Sequence, residues 1–152
     1  FMSAQANITV FDGATTPVSH ILVASGVKVL ADGTQLALYR EMLPGLPTKA
    51  QVRVEARQRE FPTGVVETRF DVFVPVMESI SGQNASGYTA APKVAYEDRY
   101  AIVQYAHPRS TIATRRLAKQ IGLNLGNNVT TSVAAVSAGI VDEAAVGLVF
   151  PS

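Results

Sequence analysis

Residues 49–60 read KAQVRVEARQRE. Ala50, Val52, Val54 and Ala56 fall on one parity, and Gln51, Arg53, Glu55, Arg57 and Arg59 fall on the other. Alternation of period two places the two sets on opposite faces of a strand, one against a core and one in solvent. A helix would scatter both sets around its axis, so the stretch is constrained to β-structure. The wet face also carries three arginines, more than contact with water demands, in a chain whose formal net charge is only +1.

The same period recurs on either side. In VVETRFDVFVPV (65–76), Phe70, Val72, Val74 and Val76 alternate with Arg69, Asp71, Phe73 and Pro75. KVAYEDRYAIVQYA (93–106) reads as another long strand, with Tyr96, Tyr100 and Ile102 toward the core and Lys93, Glu97 and Arg99 opposite. Upstream, ITVFD (8–12) and VSHILVA (18–24) flank a loop that opens with Asp12-Gly13, the pattern of a hairpin. A second Asp-Gly, Asp32-Gly33, precedes TQLALYRE (34–41). Pro44-Gly45-Leu46-Pro47 breaks the chain, because proline locks φ and withholds an amide donor. Phe61-Pro62-Thr63-Gly64 turns it once more, and ESISGQNASGYTAAP (78–92) reads as a long exposed loop.

After His107-Pro108 the period changes. In RSTIATRRLAKQIGLNL, Ile112, Leu117, Ile121 and Leu125 recur near helical spacing, with Arg115, Arg116 and Lys119 mostly off that stripe. Ser110 or Thr111 is placed to cap the helix, and Gly122 or Gly126 to end it. VTTSVAAVSAG (129–139) reads as a second, short helix. The apolar tail IVDEAAVGLVFPS (140–152) has to be covered, by its own subunit or by a neighbour. Strands followed by segregated helices predict an α+β fold in one domain, 1–152. Its parts are an N-terminal hairpin (6–24), an antiparallel sheet (34–106) with the exposed loop 78–92, two helices (109–139) and a C-terminal extension (140–152). One short helix pair is little cover for so long a meander, so a partner's helices laid across the sheet, in a dimer, complete the core.

Hydrophobic residues make up 47% of the chain, which excludes a disordered polymer. Charged residues make up 16%, below the ~25% usual for a soluble domain, as expected if copies of the chain cover much of its surface. The charge is also uneven: residues 49–119 net +4 and the remainder −3. A local basic surface on a nearly neutral chain suits a polyanion. No apolar run approaches the ~20 residues of a membrane span, and FMSAQANITV lacks the basic and apolar segments of a signal peptide. No membrane partner is expected.

Signs of catalysis are sparse. There is no cysteine, His20 and His107 lie far apart, and no nucleophile-elbow, phosphate-loop or zinc spacing occurs. Glu97 and Asp98 are adjacent on a strand and so point to opposite faces. Neither an enzyme nor a cofactor is expected. What remains is the charged sheet face, which can satisfy itself through cross-strand ion pairs or present guanidiniums to RNA phosphates and bases.

ANITVFDGATTPVSHILV, the strand end VFVPV, the loop exit TAAPKVAY and the run VQYAHPRSTIATRRLAKQIGLNL resemble the coat proteins of single-stranded RNA bacteriophages (leviviruses) over roughly residues 6 to 139. The resemblance implies an N-terminal hairpin, a five-stranded antiparallel sheet and two C-terminal helices. It further implies an interlocked homodimer in which each subunit's helices lie on the other's sheet, and dimers that assemble into an icosahedral capsid in the bacterial cytoplasm. The loop 79–92 would gather at the shell's symmetry axes. The implied partners are the chain itself, the genomic single-stranded RNA with a hairpin through which the protein represses replicase translation, and the phage maturation protein. Matched by position, the RNA-binding residues would be Gln51, Arg53, Glu55, Arg57, Glu67, Arg69, Asp71, Glu97 and Arg99. The carboxylates among them depart from a purely basic face. A dimeric RNA-binding regulator that never builds a shell is the alternative reading of the same face.

Overall fold

The computed structural model describes residues 4–78, 85–87 and 93–152. Most of the predicted loop 78–92 lies outside the described residues. Among the described residues six strands follow in chain order, β1 (Ile8–Phe11), β2 (Ser19–Val29), β3 (Gln35–Arg40), β4 (Arg53–Glu60), β5 (Val66–Met77) and β6 (Val94–Ala106). They form a single antiparallel sheet whose spatial order is the sequence order. The N-terminal hairpin is therefore continuous with the meander: β2 runs on past residue 24, bulges between Ala24 and Val27, and pairs with β3. Both Asp-Gly pairs turn the chain as the sequence predicts. Asp12 Oδ1 accepts from the amides of Ala14 and Val18, and Asp32 Oδ1 from that of Thr34. Gly64 turns β4 into β5 at φ 84°, where an added Cβ would lie 2.8 Å from the Pro108 ring.

One helix, α1 (Ile112–Gly126), follows the sheet. Thr111 caps it, its hydroxyl accepting from the Thr114 amide while the Thr114 hydroxyl accepts from the Thr111 amide. The second helix predicted over 129–139 is displaced. Residues 130–139 are exposed and 129–138 carry no regular structure, whereas a short helical turn forms at Asp142–Val146. The physical reason is that a helix this short is marginal unless a face of it is buried. Residues 130–139 bury no side chain within one chain, while Ala144 packs in the core cluster with Phe70 and Phe150.

The C-terminal extension is the cover of the core. Leu22, Ala37, Tyr39, Ala56 and Phe70 from four strands cluster with Ala144 and Phe150. The Ala144 carbonyl accepts from Gln58 Nε2 at 2.8 Å and from Thr68 Oγ1 at 3.3 Å, and the Ser152 carbonyl accepts from the Gln5 amide at 3.0 Å. Burying a valine or phenylalanine side chain contributes about 1.5–3 kcal/mol, which makes Val146 and Phe150, both buried, the anchors of this segment. Asp142 ties it to α1, with Lys119 Nζ at 2.6 Å and Arg116 Nη2 at 3.0 Å. Arg115 Nε donates to the Val146 carbonyl at 2.6 Å.

Cover is partial on β6, where Ala106 is buried and Gln104 Nε2 donates to the Arg115 carbonyl of α1. Tyr96, Tyr100 and Ile102 share the core parity as predicted, yet Tyr96 and Tyr100 are exposed in the single chain. The predicted α1 stripe is exposed too, at Ile112, Leu117, Ile121 and Leu125. The buried residue of α1 is instead Lys119, turned toward Asp142.

Candidate nucleic-acid interface

The register builds the opposite face row by row. Arg40, Arg53, Phe73 and Arg99 stand side by side across β3 to β6. Next come Leu38, Glu55, Asp71 and Ala101, then Leu36, Arg57, Arg69 and Val103, and last Arg59, Glu67 and Tyr105 across β4 to β6. The first three rows run basic, acidic, basic and the last is mixed, because β4, β5 and β6 each place an arginine and a carboxylate two residues apart. Same-face neighbours in adjacent rows are close enough for long side chains to pair.

They do pair. Arg53 grips Glu97 with two bonds, Nη1 to Oε2 at 2.6 Å and Nη2 to Oε1 at 3.0 Å, a fork geometry that strengthens a charge-assisted contact. Its guanidinium lies 4.0 Å from the Phe73 ring centre, and that of Arg99 lies 5.1 Å from the same ring. Asp71 is fully buried and receives Arg69 Nε at 3.0 Å and Arg99 Nη2 at 2.9 Å. Burial pushes the Asp71 carboxyl up, but hydrogen bonds from Arg69 and Arg99 outweigh it and hold the group below the usual carboxylate range. Arg57 Nη2 meets Glu55 Oε2 at 2.9 Å. Arg59 stands 3.9 Å from Glu67, beyond hydrogen-bond distance, with its guanidinium 4.4 Å from the Phe61 ring centre.

Eight of the nine residues singled out from the sequence therefore share one face: Arg53, Glu55, Arg57, Glu67, Arg69, Asp71, Glu97 and Arg99. Gln51 stands apart. It lies before β4, is buried, and closes the preceding loop, accepting from the Leu43 amide and donating to the Leu43 and Leu46 carbonyls. Its parity matched the face, but the strand begins only at Arg53. Asp71 lies beneath the arginines and orders them. Arg59, Phe73 and Arg40 also belong to the charged rows and were not among those nine. Arg59 and Phe73 sit on the right parity of their strands, so the signal was present; the row that places Phe73 between Arg53 and Arg99 comes from register alone.

No protein-family model matches this chain, and no curated protein does. Solved structures do. The virus-like particle of bacteriophage EMS014 is 25% identical, with 98% of this chain and 99% of that one aligned at a TM-score of 0.70. The virus-like particle of bacteriophage ESE058 is 20% identical over 97% and 98% of the two chains, at a TM-score of 0.67. That of Beihai levi-like virus 21 is 15% identical over 86% and 98%, at 0.61.

The fold is thus that of subunits that build viral shells, and the chain is a structural capsid protein. The solved structures it resembles are coat proteins and virus-like particles of bacteriophages, the kind of protein that the resemblance in the sequence implies.

Proposed function

We propose that this coat protein dimerises through β6 and α1, assembles from dimers into a closed icosahedral shell, and holds genomic single-stranded RNA against its charged sheet face. The observation that carries the reading is the division of cover between the two sides of the sheet. The C-terminal segment packs on the apolar side only, against Gln58, Thr68 and Phe70. The charged side keeps Arg57, Arg59 and Arg99 partly open to solvent.

Self-association follows from the uncovered part. The 13-residue β6 is the outer strand of the sheet, and a long unpaired edge is a template for another chain. Exposed Tyr96 and Tyr100 on that strand, with Leu117, Ile121 and Leu125 on α1, supply apolar surface for a second copy. Pairing of two β6 strands joins the sheets, and each α1 stripe then covers the partner. Arginine suits the RNA role because its planar fork contacts phosphate with two bonds and stacks on bases. Repression of replicase translation through one RNA hairpin, contact with the maturation protein and assembly in the bacterial cytoplasm complete this reading.

Expression of the chain alone, followed by size-exclusion chromatography and electron microscopy, should yield megadalton particles carrying nuclease-protected RNA. A stable monomer would sink the assembly, and empty particles would sink the RNA role.

A further inference from the structure

The ion pairs of the charged face are not uniform, and what they leave over has a location. Arg53 is committed to Glu97, and Arg69 and Arg99 to Asp71. Arg57 and Arg59 are less engaged. Arg57 meets a single Glu55 oxygen, and its Nε is buried without an acceptor. Arg59 rests on Phe61 and comes no nearer than 3.9 Å to Glu67. A guanidinium held over a ring keeps its edge donors for another group.

These two arginines line one pocket. It has a volume of 270 Å³, opens where the β2–β3 turn meets β4 and β5, and is bounded by Arg57, Arg59, Arg69 and Arg99 against two carboxylates, Asp32 and Glu67. Arg57 and Arg69 are direct cross-strand partners there. Like charges placed opposite each other destabilise a sheet, and a bound anion would relieve that repulsion. The volume lies below the about 300–1,000 Å³ of drug-sized ligand sites, so the pocket suits a compact group better than a whole nucleotide.

We propose that this pocket receives a phosphodiester of single-stranded RNA, with Arg57 and Arg59 as the donors and Arg69 as the charge behind them. The proposal rests on the RNA-binding reading above and narrows it to one end of the face. The Arg53–Glu97 end is saturated by its own fork. Glu55 takes one edge of Arg57 and thereby holds the guanidinium in place for the anion.

Binding of a short fluorescein-labelled single-stranded RNA to the full chain, dissociated from its particles and freed of copurified RNA, followed by anisotropy over a series of salt concentrations, tests it. Arg57→Gln and Arg59→Gln should each weaken binding several-fold and reduce the log–log salt slope by about 1, the signature of one lost phosphate contact. Arg57→Lys should keep the slope, since charge is retained, while losing affinity with the fork. Unchanged thermal melting of the variants checks that they fold. Wild-type binding with the slope intact in both glutamine variants overturns the pocket and leaves the RNA reading standing. No binding by the wild type removes both. Competition by sub-millimolar inorganic phosphate at matched ionic strength marks a free-anion site and overturns the assignment to RNA.

Discussion

Asp71 and Asp142 are the same device used at two places. Each is a buried carboxylate that receives two cationic side chains, and each is held below the usual carboxylate range. The causes differ in order. For Asp142 the hydrogen bond from Arg116 is the largest influence, with burial opposing it and Lys119 assisting. For Asp71 burial is the largest, and it takes two arginines to overcome it. The cations differ more. The Lys119 side chain is 5% exposed, whereas those of Arg69 and Arg99 are 33% and 46% exposed. Asp142 therefore fixes the C-terminal cover to α1 through a buried ammonium, which also donates to the Val136 carbonyl at 2.9 Å. Asp71 arranges two heads that can turn to water or to a ligand.

That contrast can be broken by removing each carboxylate. Asp142→Ala leaves the buried Lys119 ammonium with the Val136 carbonyl but no counter-charge, and loss of one partner from a buried pair costs about 3–5 kcal/mol. Urea unfolding of the variant should show a loss near the lower end of that range, because Arg116 can reach solvent. Asp71→Asn keeps the shape and some hydrogen bonding, so its loss should be smaller, about 1–2 kcal/mol, and freeing Arg69 and Arg99 should steepen the salt dependence of RNA binding. A larger loss for Asp71→Asn than for Asp142→Ala would reverse the roles assigned to them. Both carboxyls also make the fold acid-sensitive. Their contributions are complete above the ordinary aspartate value near 3.8 and disappear as pH falls through the lowered folded values.

The smallest expected effect lies at the hairpin. His20 Nδ1 is 2.5 Å from Glu41 Oε1, and Nε2 is 3.5 Å from Asp12 Oδ2. The hydrogen bond to Glu41 is the main cause that raises the His20 value, against the opposing effect of burial. A raised histidine contributes fully below its unfolded value of about 6.5 and loses the contribution as pH rises through the folded one. Thermal melting should therefore fall modestly in the wild type as pH rises above about 6.5. His20→Gln should flatten the change, and an identical pH profile would show that the bridge carries no linkage.

Much of the scaffold was legible in the residues. Period-two runs named β4, β5 and β6, two Asp-Gly pairs named turns, and Thr111 was among the predicted caps. These signals are local, since each depends on the geometry of a few consecutive residues. The second helix was misplaced because VTTSVAAVSAG has helical composition but no burial partner within the chain, while the less periodic tail does have one. Gln51 shared a parity with Arg53, yet lay just outside the strand where parity carries meaning. Arg57 and Arg59 looked equivalent to Arg53 in sequence, and only their partners distinguish them.

By itself the sequence determined which residues of β4, β5 and β6 share a side of the strand, where the helix begins, and that arginines and carboxylates share one face. Side-chain alternation and capping are properties of a single stretch of backbone. The tertiary structure decided the register that pairs Arg53 with Glu97, sets Arg57 opposite Arg69 and buries Asp71 between two guanidiniums. It also decided that residues 140–152 fold back over their own sheet. Those outcomes depend on contacts between residues distant in the chain, which compete for the same apolar surface and the same charges.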